Sequence, residues 1–250
     1  MEGSSVRIDA TGLDYRALGT RLKEVLKGGA EQVELYNVCG QRYIGAGIQE
    51  KARVDIYGTP GNDLGSFMGG LRLHVHGNAQ DGCGNTLDGG ELVIYGHAGD
   101  IVGYAMRGGK IFIRGSVGYR AAIHMKEYKE KRPVIVIGGT AQPFLGEYMA
   151  GGTVILLRLT SRKESHRCSQ GFIGTGMHGG VIYIRGQVEK WHLGKEVAAV
   201  PVDDPEKEGI ASLIREFCAH FGYDAEMVLP HPFTRIYPRF LRPYGRLYAY

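Results

Sequence analysis

The stretch GGELVIYGHAGDIVGYAMRGGKIFIRG, Gly89 to Gly115, decides the fold. It holds two five-residue runs, ELVIY and KIFIR, closed by Gly96 and Gly115, which stand 19 residues apart. The same interval reaches back to Gly77 and Gly58, which close RLHVH and RVDIY. Further on, PVIVI before Gly138, TVILL before Arg158 and VIYIR before Gly186 continue the series at wider spacing. A fixed period near twenty residues is the mark of a repeat architecture.

Stacking the copies separates two kinds of column. The second positions are Val54, Leu73, Leu92, Ile111, Val134, Val154 and Ile182, and the fourth are Ile56, Val75, Ile94, Ile113, Val136, Leu156 and Ile184. All are branched aliphatics, whereas the first positions open with Arg53, Arg72, Glu91 and Lys110. Alternation of this kind predicts short strands burying one face. A Met or Leu shortly before each glycine pair (Met68, Leu87, Met106, Met149, Met177) adds a third inward column.

One unit is too short to hold a strand and a crossover helix, so successive units must stack in register. The expected fold is all-β, a right-handed parallel β-helix of about seven to eight rungs. Its structural corners are expected at Gly58, Gly77, Gly96 and Gly115 and at the pairs Gly89–Gly90, Gly108–Gly109, Gly151–Gly152 and Gly179–Gly180. There the chain needs positive φ or a close backbone approach.

Three segments follow: an N-terminal strand–helix cap over 1–30, the β-helix over 31–200, and a C-terminal helix with an extended tail over 201–250. The first helix is read from Tyr15, Leu18, Leu22, Val25 and Leu26, stopped by Gly28 and Gly29. The second is read from Ile210, Leu213, Ile214, Phe217, Cys218 and Phe221, opened by Asp204-Pro205 and closed by Gly222. Both are expected to cap the ends of the stack. The tail LPHPFTRIYPRFLRPYGRLYAY shows no clear period and is expected to wrap the solenoid or dock on another protein chain.

The 30 basic against 26 acidic residues form no basic block, which argues against a nucleic-acid partner. The N-terminus lacks a signal-peptide pattern and no apolar run is long enough to span a bilayer, so no membrane partner and a cytoplasmic location are expected. Cys39, Cys83, Cys168 and Cys218 show no local pairing and read as reduced, mostly buried thiols. GYAMRGGK, Gly103 to Lys110, approaches a P-loop, but its lysine comes one place late and Ile111 stands where a hydroxyl is needed. His74 and His76 share one strand face with Asp55 a rung below; a surface ladder competes there with a metal pair. No spacing brings His166, Cys168 and His178 together. The residues therefore assign no catalytic, cofactor-binding or metal site. What stands out is an outward stripe that turns apolar, Val93, Phe112, Ile135, Ile155 and Tyr183 with Ile137 and Leu157. Terminal segments or another protein must cover it, which makes it the candidate partner-facing surface.

The repeated pattern in GDIVGYAMRGG and GEYMAGG resembles the GXGXG domain, the C-terminal β-helix of the glutamate synthase large subunit. VCGQRYIGAG and the closing PFTRIYPRFLRPYGRLYAY resemble stand-alone versions of that domain, and VCGQRYIGAG also resembles one of the chains of formylmethanofuran dehydrogenase. The resemblance implies a non-catalytic structural subunit of a multi-subunit glutamate synthase, scaffolding the glutaminase and FMN/iron–sulfur subunits. FMN and the iron–sulfur cluster are then expected in partner subunits and no cofactor in this chain, with a homo-oligomer left open. No catalytic residue transfers: Glu2 stands where the glutaminase family has its nucleophilic cysteine, and no cysteine cluster exists. The alternative is the scaffold of a formylmethanofuran dehydrogenase or an N-methylglutamate-forming oxidoreductase.

Overall fold

The computed structural model describes residues 5–159 and 171–240. Nine strands run parallel in chain order: β1 (Val6–Asp9), β2 (Gln32–Cys39), β3 (Arg53–Thr59), β4 (Arg72–Val75), β5 (Glu91–Ile94), β6 (Lys110–Ile113), β7 (Val134–Ile137), β8 (Ala150–Leu156) and β9 (Gly179–Arg185). Each pairs with the next, as successive turns of a parallel β-solenoid must. The sheet is completed by β10 (Val197–Pro201) and β11 (Phe233–Pro238), with β11 antiparallel between β9 and β10. The α-helices among the described residues are α1 (Tyr15–Lys27), α2 (Asp204–Phe221) and α3 (Ala225–Val228).

Register follows the aliphatic columns. Val54, Leu73, Leu92 and Ile111 stack in one line and Ile56, Val75, Ile94 and Ile113 in the next, all fully buried. The exception is β7. There Ile135 stacks on Ile111 and Ile137 on Ile113, while Val136 stacks on Phe112. The repeat pattern places Val134 and Val136 in the inward columns, one residue early, and in a strand such a slip reverses every side chain. Pro133 mimics a strand position, and the glycine that takes the corner place of Gly115 in this rung is Gly139, whose N–H donates to Gly115 O at 2.8 Å.

The rung-to-rung period also appears in side-chain bonds. Asn78 Oδ1 accepts from His97 N–H and His97 Nδ1 from Ser116 N–H; Asp81 Oδ1 accepts from Asp100 N–H and Asp100 Oδ1 from Tyr119 N–H. Corners use glycine in two ways. Gly58, Gly90, Gly109, Gly152 and Gly180 have positive φ. At Gly77, Gly89, Gly96, Gly108, Gly115, Gly151 and Gly179, a Cβ would lie 3.0 Å or less from atoms of the preceding rung.

The ends are closed differently from each other. Helix α1 opens at Asp14, whose carboxylate accepts from the N–H groups of Arg16 and Ala17, and buries Leu18, Leu22 and Leu26 into the solenoid core beside Ile8 and Val33. At the other end β10 and β11 supply Val197 and Ile236 to the same core. The tail segment that shows no period thus forms a strand through Pro238. Helix α2, expected as the second cap, instead lies along the outer face of the strands. Its own limits match the sequence: Asp203 accepts from Glu206 N–H at 2.9 Å, and Gly222 closes it at φ 71°.

Candidate functional site

The outer face of β5 to β9 presents Val93, Phe112, Val136, Ile155, Leu157 and Tyr183, and α2 covers them with Ile210, Ala211, Ile214, Phe217 and Cys218. All are buried. The stripe read as partner-facing is therefore an intramolecular second core. Ile135 and Ile137 do not belong to it, because the β7 register turns them into the solenoid. Each fully buried aliphatic or aromatic side chain here stabilises the packing of α2 by roughly 1.5–3 kcal/mol. Tyr183 anchors one end: its hydroxyl donates to Glu206 Oε1 at 3.0 Å, and burial, with Glu206 beside it, raises its pKa to about 12.

A polar seam borders this core where β3 to β6 meet the last turns of α2. Asp55, buried, accepts two bonds from Arg53 at 2.7 and 2.8 Å and lies 2.8 Å from His76 Nε2. Burial alone would raise the Asp55 carboxyl, but the bonds from Arg53 and His76 outweigh it and hold its pKa below the ordinary value. His76 continues a stack of rings, Tyr36, Tyr57, His76 and Tyr95, with centroids 4.5 to 5.0 Å apart. The expected surface ladder is thus real for His76.

His74 takes a separate path. Its side chain is 6% exposed and lies beneath α2, with Nε2 3.9 Å from Glu91 Oε1 and its ring 5.8 Å from that of His220. Burial, reinforced by the Arg53 charge, lowers its pKa to about 4, so it is neutral at pH 7. His220 Nε2 stands 3.7 Å from Glu91 Oε2 and is the main influence holding the Glu91 carboxyl low against burial. Lys110, the near-P-loop lysine, contacts both oxygens of Glu216 at 2.6 and 2.8 Å, so α2 holds it.

Among the described residues two of the three thiols are buried, and Cys39 at the end of β2 is exposed. Cys83 lies fully buried in a core column, and burial raises its pKa to about 12; the thiol of Cys218, on the buried face of α2, is likewise raised by burial. His166 and Cys168 lie outside the described residues, and His178 Nδ1 faces the Gly176 carbonyl at 3.2 Å.

A different surface emerges at the corner edge. Phe67, Tyr104, Tyr148 and Phe172 are 38% to 58% exposed although large and apolar. Main-chain bonds carry the edge from rung to rung: Phe67 N–H to Asn85 O, Thr86 N–H to Tyr104 O, Ala105 N–H to Ile123 O and Tyr148 N–H to Thr175 O. Tyr148 stacks on His124 at 5.3 Å, Phe144 on Phe172 at 5.0 Å, and Arg120 lies 4.9 Å over Phe144. Phe67, Thr86, Ala105, His124 and Tyr148 all have positive φ and each precedes a buried Leu or Met, so the main chain turns them outward. That position before the Met column is the signal in the sequence that marks Phe67 and Tyr148, and the alternation of the strands does not reveal it.

Among proteins of known sequence, an uncharacterized protein of Methanocaldococcus jannaschii is 47% identical over 251 residues, covering 98% of this chain and 96% of its own. Among solved structures, a chain of the formyltransferase/hydrolase complex (FhcABCD) of Methylorubrum extorquens, determined with methylofuran, shares the fold with a TM-score of 0.61. It is 20% identical, and the match covers 90% of this chain and 91% of that one. The sequence model of the GXGXG motif family matches residues 31–244. With its glycine corners spaced on a parallel β-solenoid, the chain belongs to the GXGXG family.

Proposed function

We propose that this protein is a non-catalytic structural subunit of a multi-subunit glutamate synthase, holding separate glutaminase and FMN/iron–sulfur subunits in place. The carrying observation is the corner edge. Phe67, Tyr104, Tyr148 and Phe172 expose large rings on a frame locked by rung-to-rung hydrogen bonds, and aromatic side chains on rigid backbone are what protein interfaces favour. On this reading the chemistry of the assembly falls to the partners, together with FMN and the iron–sulfur cluster. Among the described residues no helix is long and apolar enough to cross a membrane, and partners are sought among proteins.

A second reading has a specific observation in its favour. One solved fold neighbour is a chain of a formyltransferase/hydrolase complex. On that reading the same edge holds the subunits of a formylmethanofuran dehydrogenase or related oxidoreductase. Affinity purification from the native cells separates the two: glutaminase and flavoprotein chains with FMN and iron–sulfur support the first, and formyl-transferring subunits support the second. A chain recovered alone under gentle conditions counts against both.

A further inference from the structure

Helix α2 presents Glu216 and His220, one turn apart at i and i+4, on the face that meets the sheet. Opposite them, β5 contributes Glu91 and the neighbouring β4 contributes His74 from its outward position. One donor atom each from Glu91, Glu216 and His220 lie within 4.8 Å of one another. His74 Nε2 faces Glu91 at 3.9 Å, and His220 Nε2 faces the other Glu91 oxygen at 3.7 Å. Both distances exceed a hydrogen bond. His74 Nδ1 and His220 Nε2 are buried without a hydrogen-bond partner among the described residues. A buried ring nitrogen without a partner is costly; His220 directs its own at the Glu91 carboxylate, and His74 turns its other nitrogen, Nε2, toward the same group.

We propose that this seam is a site for one divalent transition-metal ion of the zinc class, with Glu91, Glu216 and His220 as ligands and His74 as the fourth donor. Two imidazole nitrogens with carboxylate oxygens are the donor set such an ion takes, in contrast to the all-oxygen shells of magnesium or calcium. Charge agrees. Two glutamates carry two negative charges, which a dication balances, whereas Lys110 supplies only one positive charge. Lys110 therefore acts as the competitor: its ammonium rests on Glu216, and its side chain is 40% exposed, so it can swing into solvent when an ion enters. An ion bound there ties α2 to two strands of the solenoid.

The test uses full-length protein stripped with a chelator and reloaded with Zn(II) or Co(II), followed by removal of excess metal. About one ion per chain is expected, with cobalt showing the visible bands of four-coordinate geometry. Glu91→Gln and His220→Gln are expected to weaken binding roughly tenfold or more, while thiols elsewhere in the chain are untouched. Lys110→Met is the second arm: freed of its competitor, it binds cobalt more tightly than wild type. Wild-type protein that retains no metal overturns the proposal, as does stoichiometry unchanged in Glu91→Gln and His220→Gln, or weaker binding in Lys110→Met. The circular dichroism of each metal-free variant checks that a loss of binding is not a loss of fold.

Discussion

Phe217 of α2 occupies the space that a side chain on Gly138 would need: a Cβ built there would lie 2.6 Å from Phe217 Cζ and 2.4 Å from the Arg114 carbonyl oxygen. The glycine just after β7 and the aromatic ring on the helix are a matched pair. Gly138→Ala must push either the helix or the preceding rung away, and overpacking of this kind costs about 1–3 kcal/mol. Urea unfolding should show that loss in the midpoint, and Phe217→Leu in the same chain should recover part of it. Wild-type stability in Gly138→Ala alone would refute the pairing.

The covered stripe changes what a charge placed on it does. Phe112 is fully buried, with its ring centroid 4.9 Å from that of His220. Phe112→Asp removes a large apolar side chain and buries a carboxylate without a partner, which together cost about 3–5 kcal/mol or more. We expect the isolated chain to lose stability and α2 to become a site of limited proteolysis. A stably folded Phe112→Asp that fails only to bind partners would return the stripe to the partner-facing role that its sequence pattern suggests. Ile135→Asp should be at least as damaging, because that side chain faces the solenoid core.

Asp55 ties the seam to pH. Its carboxyl is held below the ordinary value, so it favours the folded state above the unfolded carboxylate pKa, near 3.9, and that contribution is lost as pH falls through the folded value. Asp55→Asn leaves Arg53 and His76 without their anionic partner and should cost roughly 1–3 kcal/mol at pH 7. The gap between wild type and Asp55→Asn, followed by thermal unfolding at several pH values, should close as the pH drops below about 4. A gap independent of pH would mean that the charge of Asp55 plays no part.

Much of this is legible because the solenoid writes itself in repeats. Leu92, Ile94, Ile111 and Ile113 announce two rungs, and Asp204-Pro205 with Gly222 brackets α2 almost to the residue. Global placement is what the pattern does not carry. An amphipathic helix declares an apolar face but not which apolar surface it will meet, so α2 reads as an end cap although the stripe is the surface it covers. Phe233 and Ile236 sit three apart, a spacing that does not alternate, and the strand they belong to is specified by pairing with β9 rather than by its own pattern. The seam is half visible. His74 and Glu91 lie in neighbouring repeats, but Glu216 and His220 come from over a hundred residues away, and only the docking of α2 brings them in.

The central claim, that this chain is a scaffold whose exposed corner edge holds catalytic partners, is tested most directly by purifying it with an affinity tag from its own cells, beside a Phe67→Ser, Tyr148→Ser double variant. Both positions are more than 40% exposed, so the variant should keep its fold. Wild type should bring down a glutaminase chain and a flavoprotein chain carrying FMN and iron–sulfur absorbance, and the double variant should bring down neither. Wild-type chain recovered alone, or flavin and iron–sulfur bound in equal proportion to this chain by itself, would contradict it.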